Sequence, residues 1–343
     1  MKNERYFELD FLRFLAALAV LFFHYSFRMW NMDGGGDIEY PILSVFSKYG
    51  YLGVDVFFII SGFVILMSAE GRTPNQFLIS RFVRLFPAYW FCVIMLFFFA
   101  ILWPVSPYEV SIFDFLVNLT MLQNLFGLPH VSGVFWTIVI EVHFYFFVYL
   151  IIRTNQLNKL NYILFFWLSL SISCDYGLFP DVVNKLVISG WSHYFIAGSI
   201  FYLIRTKGLS LFKLLMLALC FWEALRHGYW YVSSKEILSG VEYEPIVVML
   251  FLGATFLFFT FVSLNKIPGN YSRLAKLGVL TYPLYLIHGL IGQTLLRDGI
   301  LYFDKYLLLI TVSMLMVIVS YLIQKFIERK YAPILKKKLI QIF

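Results

Sequence analysis

The stretch Leu9–Trp30, LDFLRFLAALAVLFFHYSFRMW, is apolar for long enough to cross a bilayer, yet it carries Asp10, Arg13 and His24. An ionisable group inside a membrane span costs about 2.5 kcal/mol or more, and by default it marks a functional position. Arg13 and His24 stand eleven positions apart. Eleven helical steps of about 100° return to within about 20° of the start, so Asp10, Arg13, Ala17, Val20 and His24 share one stripe. His24 lies about 16 Å further along the axis than Arg13. Two readings stand at this point. Asp10 and Arg13 form a snorkelling i,i+3 pair with a structural His24, or the three are a functional set. The rest of the chain decides between them.

Across 343 residues the chain is 61% hydrophobic and 14% charged, with a mean hydropathy of +0.79. That excludes an ordinary soluble domain and predicts an all-α, polytopic membrane protein. Cys92, Cys174 and Cys220 fall in or beside apolar segments at unrelated spacings, which gives neither a disulfide framework nor a metal site. The formal charge of +7 is read as basic loops that set orientation rather than as affinity for nucleic acid. No cleavable signal is expected: the first apolar run is too long, and no small-residue cleavage site comes after it.

Ten segments qualify as spans by apolar length, at about 9–30, 51–69, 87–105, 134–152, 160–176, 186–205, 209–226, 246–264, 278–297 and 305–327. Ser111–Leu128, interrupted by Asp114, Asn118, Gln123 and Asn124, reads as interfacial or re-entrant. With the N-terminus cytoplasmic, the external connections hold Arg28, Lys48, Lys185, Arg226, Lys235, Arg297 and Lys305, a minority of the 27 Lys and Arg. The connection Pro104–Gly133 has none. The bias favours ten helices with both termini inside and leaves no room for a soluble catalytic domain, since the tail after the last span is short and basic.

Five pieces then carry a resemblance: LDFLRFLAALAVLFFH (Leu9–His24), GVDVFFIISGFVI (Gly53–Ile65), FLISRFVRLFPAYW (Phe77–Trp90), VFWTIVIEVHFYF (Val134–Phe146) and LTYPLYLIH (Leu280–His288). In this order the chain resembles the acyltransferase-3 family over about residues 6–330. These are integral membrane enzymes that move acyl groups, often acetyl, onto carbohydrates and other surface molecules. The resemblance implies one membrane domain over 1–343, placed in a bacterial cytoplasmic membrane, without the fused hydrolase-like domain of some members. One departure is Val142-His143 after Glu141, where relatives often carry an acidic or polar residue and then glutamine; it puts local acceptor contacts in question.

Acyl transfer from a thioester to a hydroxyl needs a base, a grip on the donor and stabilisation of the oxyanion. Histidine suits the first task near neutrality, so His24 is the candidate base, and the resemblance implies a functional Arg13–His24 pair. On a straight helix Arg13 does not reach the atom that His24 reaches; it pairs with Asp10 or holds part of the donor. Arg81 and Arg84, three apart between the second and third spans, suit the phosphates of coenzyme A, although arginines are expected in any cytoplasmic loop. Glu141, inside the fourth span, needs a partner such as Arg13, a histidine or the acceptor. Thr281, Tyr285 and His288 share a stripe of the ninth span, where His288 either positions the donor or bridges helices.

His193 has no motif around it and reads as structural, while Gly53, Gly62 and Gly198 read as sites of close helix packing. Neither a His-Glu-x-x-His nor a Gly-x-Ser-x-Gly occurs, so no metal and no serine nucleophile is predicted. No permanently bound cofactor is expected. The partners would be acyl-CoA, most simply acetyl-CoA, a carbohydrate or glycolipid acceptor and the bilayer. The rival reading is a proton-coupled or small-molecule transporter with Asp10, Arg13, His24, Glu141 and His288 along its path, but paired repeats with interrupted helices are not evident.

Overall fold

The computed structural model describes residues 5–33, 40–103 and 110–342, with the side chains of 235 and 238 excepted. Residues 104–109, the start of the predicted Pro104–Gly133 connection, lie outside the described residues. Among those described there are helices and no strand. In chain order the longer ones, with two short helices that matter below, are α1 (Phe7–Phe23), α2 (Gly53–Ala69), α3 (Pro74–Leu102), α4 (Ile112–Asn118), α5 (Trp136–Arg153), α6 (Leu160–Asp175), α7 (Ser189–Lys207), α8 (Leu211–Ser239), α9 (Pro245–Ser263), α10 (Thr281–Ile287), α11 (Lys305–Ile323) and α12 (Arg329–Ile342). Three π-helical turns, His24–Arg28, His288–Gly292 and Gln324–Glu328, continue α1, α10 and α11 without a break.

Among the described residues seven helices are long and apolar enough to cross a membrane: Pro41–Ala69, Pro74–Leu102, Gly133–Arg153, Asp181–Lys207, Pro245–Ser263, Leu274–Gly299 and Lys305–Ile342. The expected ten therefore narrows to seven on length and composition. The other three predicted segments are helical, but charged or short. α1 carries Glu8, Asp10 and Arg13 in its first two turns. α6 has 16 residues, about 24 Å against a hydrocarbon core of about 30 Å. α8 holds Lys213, Glu223 and Arg226 within its apolar run.

The third segment is also longer than its hydropathy indicates. α3 starts at Pro74, so Arg81 and Arg84 sit on a helix rather than in a loop. Helical hydrogen bonding continues through residues that hydropathy alone assigns to water.

The fold resolves into two compact units, each built from separated segments: Met1–Gly50, Asn75–Val142 and Tyr271–Phe343 in one, Tyr51–Pro74 and His143–Asn270 in the other. In the second, α7 is the central helix, and apart from Gly190, Trp191 and the C-terminal Arg205–Lys207 its residues are buried. It packs closely on α2, with Gly62 against the Phe195 carbonyl and Gly198 against the Ile59 carbonyl. A Cβ at either glycine would meet backbone oxygen. Small residues let helix backbones approach where apolar burial gives no preference between protein and lipid, as expected for both positions from the sequence. Ser199 Oγ donates to Phe195 O at 2.7 Å, and Tyr194 donates to the buried Asp55 carboxylate at 3.1 Å. His193 lies on α7 beside Tyr194, with ring centroids 4.1 Å apart.

In the first unit the Ser111–Leu128 region folds back to the middle of α3. Tyr89 donates to Asn118 O at 2.8 Å and Trp90 Nε1 to Leu119 O at 2.9 Å. Ser111 and Asp114 form a reciprocal capping box that starts α4. Asn118 is fully buried; its amide donates to Asp114 O at 2.8 Å and Pro129 O at 2.9 Å, and its Oδ1 accepts from Val131 N at 3.1 Å. One side chain thus satisfies three backbone groups, which irregular backbone at this depth requires.

Gly198→Ala should destabilise the second unit by about 1–3 kcal/mol through overpacking against Ile59. Gly253→Ala, where no atom lies within 4 Å of the added methyl, should leave stability unchanged or raised by about 0.5–1 kcal/mol. Thermal unfolding in detergent compares the two directly.

Candidate active site

In the first unit the sequence stripe on α1 ends where the helix changes form. α1 is α-helical to Phe23, and His24 opens a π turn that runs to Arg28. α10 repeats the arrangement: it is α-helical to Ile287, and His288 opens a π turn ending at Gly292. Single π turns inside α-helices recur at functional sites, because the extra residue re-aims side chains and loosens the hydrogen-bond ladder. The two turns face each other. His288 Nε2 lies 3.3 Å from His24 Nδ1, with ring centroids 5.0 Å apart and planes at 62°.

Backbone carbonyls fix where the ring protons sit, because a carbonyl only accepts. His288 Nδ1 is 2.9 Å from Tyr285 O and 3.2 Å from Leu284 O, so it carries the proton, and in the neutral ring Nε2 holds the lone pair. His24 Nδ1 is 2.9 Å from Val20 O, so it too carries the proton, shared between Val20 O and His288 Nε2. The neutral His24 ring then has its lone pair on Nε2. His288 is 1% exposed and His24 half-buried, so the acceptor histidine is the inner one.

Two tyrosines hold the frame. Tyr25, next to His24, donates to His288 O at 3.0 Å. Its hydroxyl occupies the space that a side chain at Gly292 would need, so the second π turn closes on Tyr25 only because that position is glycine. Thr137 Oγ1 donates to Val134 O at 3.2 Å, which spends its single proton. The 2.6 Å contact between Thr137 and Tyr285 therefore has Tyr285 donating. Glu141 stands one turn beyond Thr137 on α5, about 40° round the helix.

The remaining sequence candidates stand on separate contacts. Arg13 Nη1 is 3.7 Å from Asp10 Oδ1, and Asp10 also accepts from Arg5 Nε at 2.7 Å, so the Asp10–Arg13 pair read from the sequence forms. Arg81 Nε donates to Ser80 Oγ at 3.2 Å. Arg84 Nη1 is 3.7 Å from Glu328 Oε2, with the arginine side chain 43% exposed and the glutamate 11%. The Arg84 guanidinium also lies 5.7 Å from the Tyr282 ring centre. Among the described residues no three His, Cys, Asp or Glu side chains come together as a metal site.

Sequence reasoning did not single out Tyr25, Thr137 or Glu328. Glu328 carried a legible signal, a carboxylate at the end of the last apolar run. Thr137 and Tyr25 carried none, because ordinary residue types reveal their role only through a partner far along the chain.

The model of the acyltransferase-3 family, described as an acyltransferase domain, matches residues 6–342. The peptidoglycan O-acetyltransferase OatA of Listeria monocytogenes is 28% identical over 156 residues, 40% of this chain and 22% of that protein. A protein of Acidianus two-tailed virus, ORF330, provisionally named an acetyltransferase, is 28% identical over 149 residues, 43% of this chain and 41% of its own length. The aligned part is thus well under half of either curated relative. No solved structure matches.

If His288 fixes the His24 tautomer, His288→Phe removes one acceptor, a contribution of about 1 kcal/mol. Nitrogen-15 spectra of histidine-labelled protein should show His24 as the Nδ1–H tautomer in the parent chain. The population should shift towards Nε2–H in the variant. An unchanged tautomer would mean that Val20 O alone sets it.

Proposed function

This chain belongs to the acyltransferase-3 family, and we propose that it is a membrane-bound O-acyltransferase that moves an acyl group from acyl-CoA to a hydroxyl of a cell-surface carbohydrate or its lipid-linked precursor. Acetyl-CoA is the simplest donor. The reading rests on one observation above the others: the hydrogen-bonded His24–His288 pair, with the proton of each ring fixed by carbonyls, in an integral membrane protein that the family matches almost end to end.

The chemistry derives from the tautomers. His24 Nε2 takes the proton of the acceptor hydroxyl as its oxygen attacks the thioester carbon. The imidazolium that forms keeps its Nδ1–H on Val20 O and His288 Nε2, so the new charge meets two acceptors already in place. As the tetrahedral intermediate collapses, the carbon–sulfur bond breaks and His24 Nε2–H returns the proton to the departing thiolate. The products are the ester and free coenzyme A. A transient acyl-histidine on the same nitrogen is a second route with the same balance.

Donor binding is assigned to Arg81 and Arg84, which share a helical face and suit phosphate oxygens, with Tyr285 and His288 at the acyl end. Arg13 and Asp10 hold the entry of α1, and Glu141 meets the acceptor. The orientation is both termini inside, with about ten crossings when α1, α6 and α8 join the seven long apolar helices, in a bacterial cytoplasmic membrane.

His24→Gln should abolish transfer while leaving insertion intact, since glutamine retains hydrogen bonding and loses the base. A variant that is correctly inserted and still transfers at near-parent rates would remove His24 from the mechanism.

Replacing Arg81 and Arg84 by Ala should weaken acyl-CoA binding about ten- to a hundredfold per residue, from roughly 1.5–3 kcal/mol for each charge-assisted contact. Lysine should restore it only in part. Titration of the purified parent protein with acetyl-CoA separates the classes: an enzyme binds it saturably, whereas a transporter of protons or small solutes does not.

A further inference from the structure

The sequence reading treats the chain's end as a short basic tail. In the structure it is a helix, α12, with the sequence RKYAPILKKKLIQI. On a helical wheel Tyr331, Leu335, Leu339 and Ile342 form one stripe, and Arg329, Lys330, Lys336 and Lys337 lie opposite. All four of these cations and Lys338 are exposed. On the apolar side Tyr331 is 47% exposed and Ile342 71%. The helix follows the π turn Gln324–Glu328 as its direct continuation.

Its depth is set by length. α11 begins at Lys305, capped by Asp304, and the helix runs unbroken to Ile342, with Glu328 at its twenty-fourth position. These 24 positions span about 36 Å at 1.5 Å per residue, more than a hydrocarbon core of about 30 Å. Arg329 therefore emerges at headgroup level. Pro333 lies inside α12; it has no N–H to give the Arg329 carbonyl, and that missing bond makes it the natural place for a bend.

We propose that α12 is an interfacial helix that binds the anionic headgroups of the bilayer. The charge complementarity commits it to lipid. A membrane surface offers anions to the basic face and acyl chains to the Tyr331–Ile342 stripe at once, and it lies where the last span ends. A soluble phosphate compound would leave the stripe in water. The inference does not depend on acyl transfer.

The test uses the full chain in vesicles of phosphatidylcholine, alone or mixed with phosphatidylglycerol, with a spin label on Leu339→Cys or Lys337→Cys. The label at 339 should be reached by oxygen dissolved in the bilayer, and the label at 337 by an aqueous nickel complex. The contrast should grow with phosphatidylglycerol and shrink with salt. Changing Arg329, Lys330 and Lys336 to Gln should raise the phosphatidylglycerol content needed for half the effect, about fivefold per charge removed. Labels equally exposed to water at every composition would overturn the proposal, because the helix would then project clear of the membrane. So would labels at 339 that broaden one another, because a second copy would then cover the stripe.

Discussion

A buried backbone carbonyl can accept a proton but cannot give one, and the membrane offers no water to take its place. That constraint orders the first unit. Leaving such a group without a partner costs several kcal/mol in hydrocarbon, and four side chains at this site, His24, His288, Tyr25 and Thr137, each give a proton to a carbonyl. His24 gives its Nδ1 proton to Val20 O, His288 gives its own to Tyr285 O, Tyr25 serves His288 O and Thr137 serves Val134 O. Beyond these commitments each neutral imidazole keeps one lone pair. That of His288 is directed at His24.

The π turns are the structural counterpart of this accounting. Each of the three coincides with polar groups in an otherwise apolar helix: His24, His288, and Gln324 with Glu328. A regular α-helix would pair every carbonyl within itself and hold the side chains to one 3.6-residue register. The π turn inserts a residue, rotates the downstream residues by about a quarter turn and leaves a carbonyl for a side chain to serve. His288 O, served by Tyr25, is an instance. The geometry also demands room, which Gly292 provides by giving its Cβ position to the Tyr25 hydroxyl.

Local periodicity made the helices legible and left their meetings illegible. Where the chain is described, each predicted span is largely helical, and on the stripe from Asp10 to His24 the side chains of Asp10 and Arg13 meet. The stripe could not show that His24 turns towards a residue 264 positions away, because a wheel describes one helix and not its neighbour. Nor could it show the π turn, since no residue type signals one. Hydropathy misjudged α3 for a related reason: it measures where the chain prefers lipid, whereas the helix persists through Asn75–Leu85 because its backbone bonds do not depend on that preference. The polar interruptions of Ser111–Leu128 were a better guide. Asn118 was visible as a misfit among apolar residues, and its three backbone contacts explain why it is there.

On the proposed reading, an acidic partner for a phosphate-binding arginine needs a reason, since Glu328 would oppose the phosphate it shares Arg84 with. The geometry makes the opposition weak. Arg84 is 43% exposed, the Glu328 side chain only 11%, and their nearest approach is 3.7 Å, so the contact is long but sheltered on its acidic side. A phosphate accepting charge-assisted bonds from the same guanidinium gains roughly 1.5–3 kcal/mol. On this reading a donor phosphate would compete for the arginine with a single contact at 3.7 Å. Glu328 and the Tyr282 ring, both on other helical segments, already restrain the guanidinium, which would lower the conformational entropy lost on binding. A closer, buried pair would reverse this balance, because separating it would leave an unpaired buried charge. On the proposed reading, the partial exposure of Arg84 leaves its guanidinium within reach of a donor phosphate.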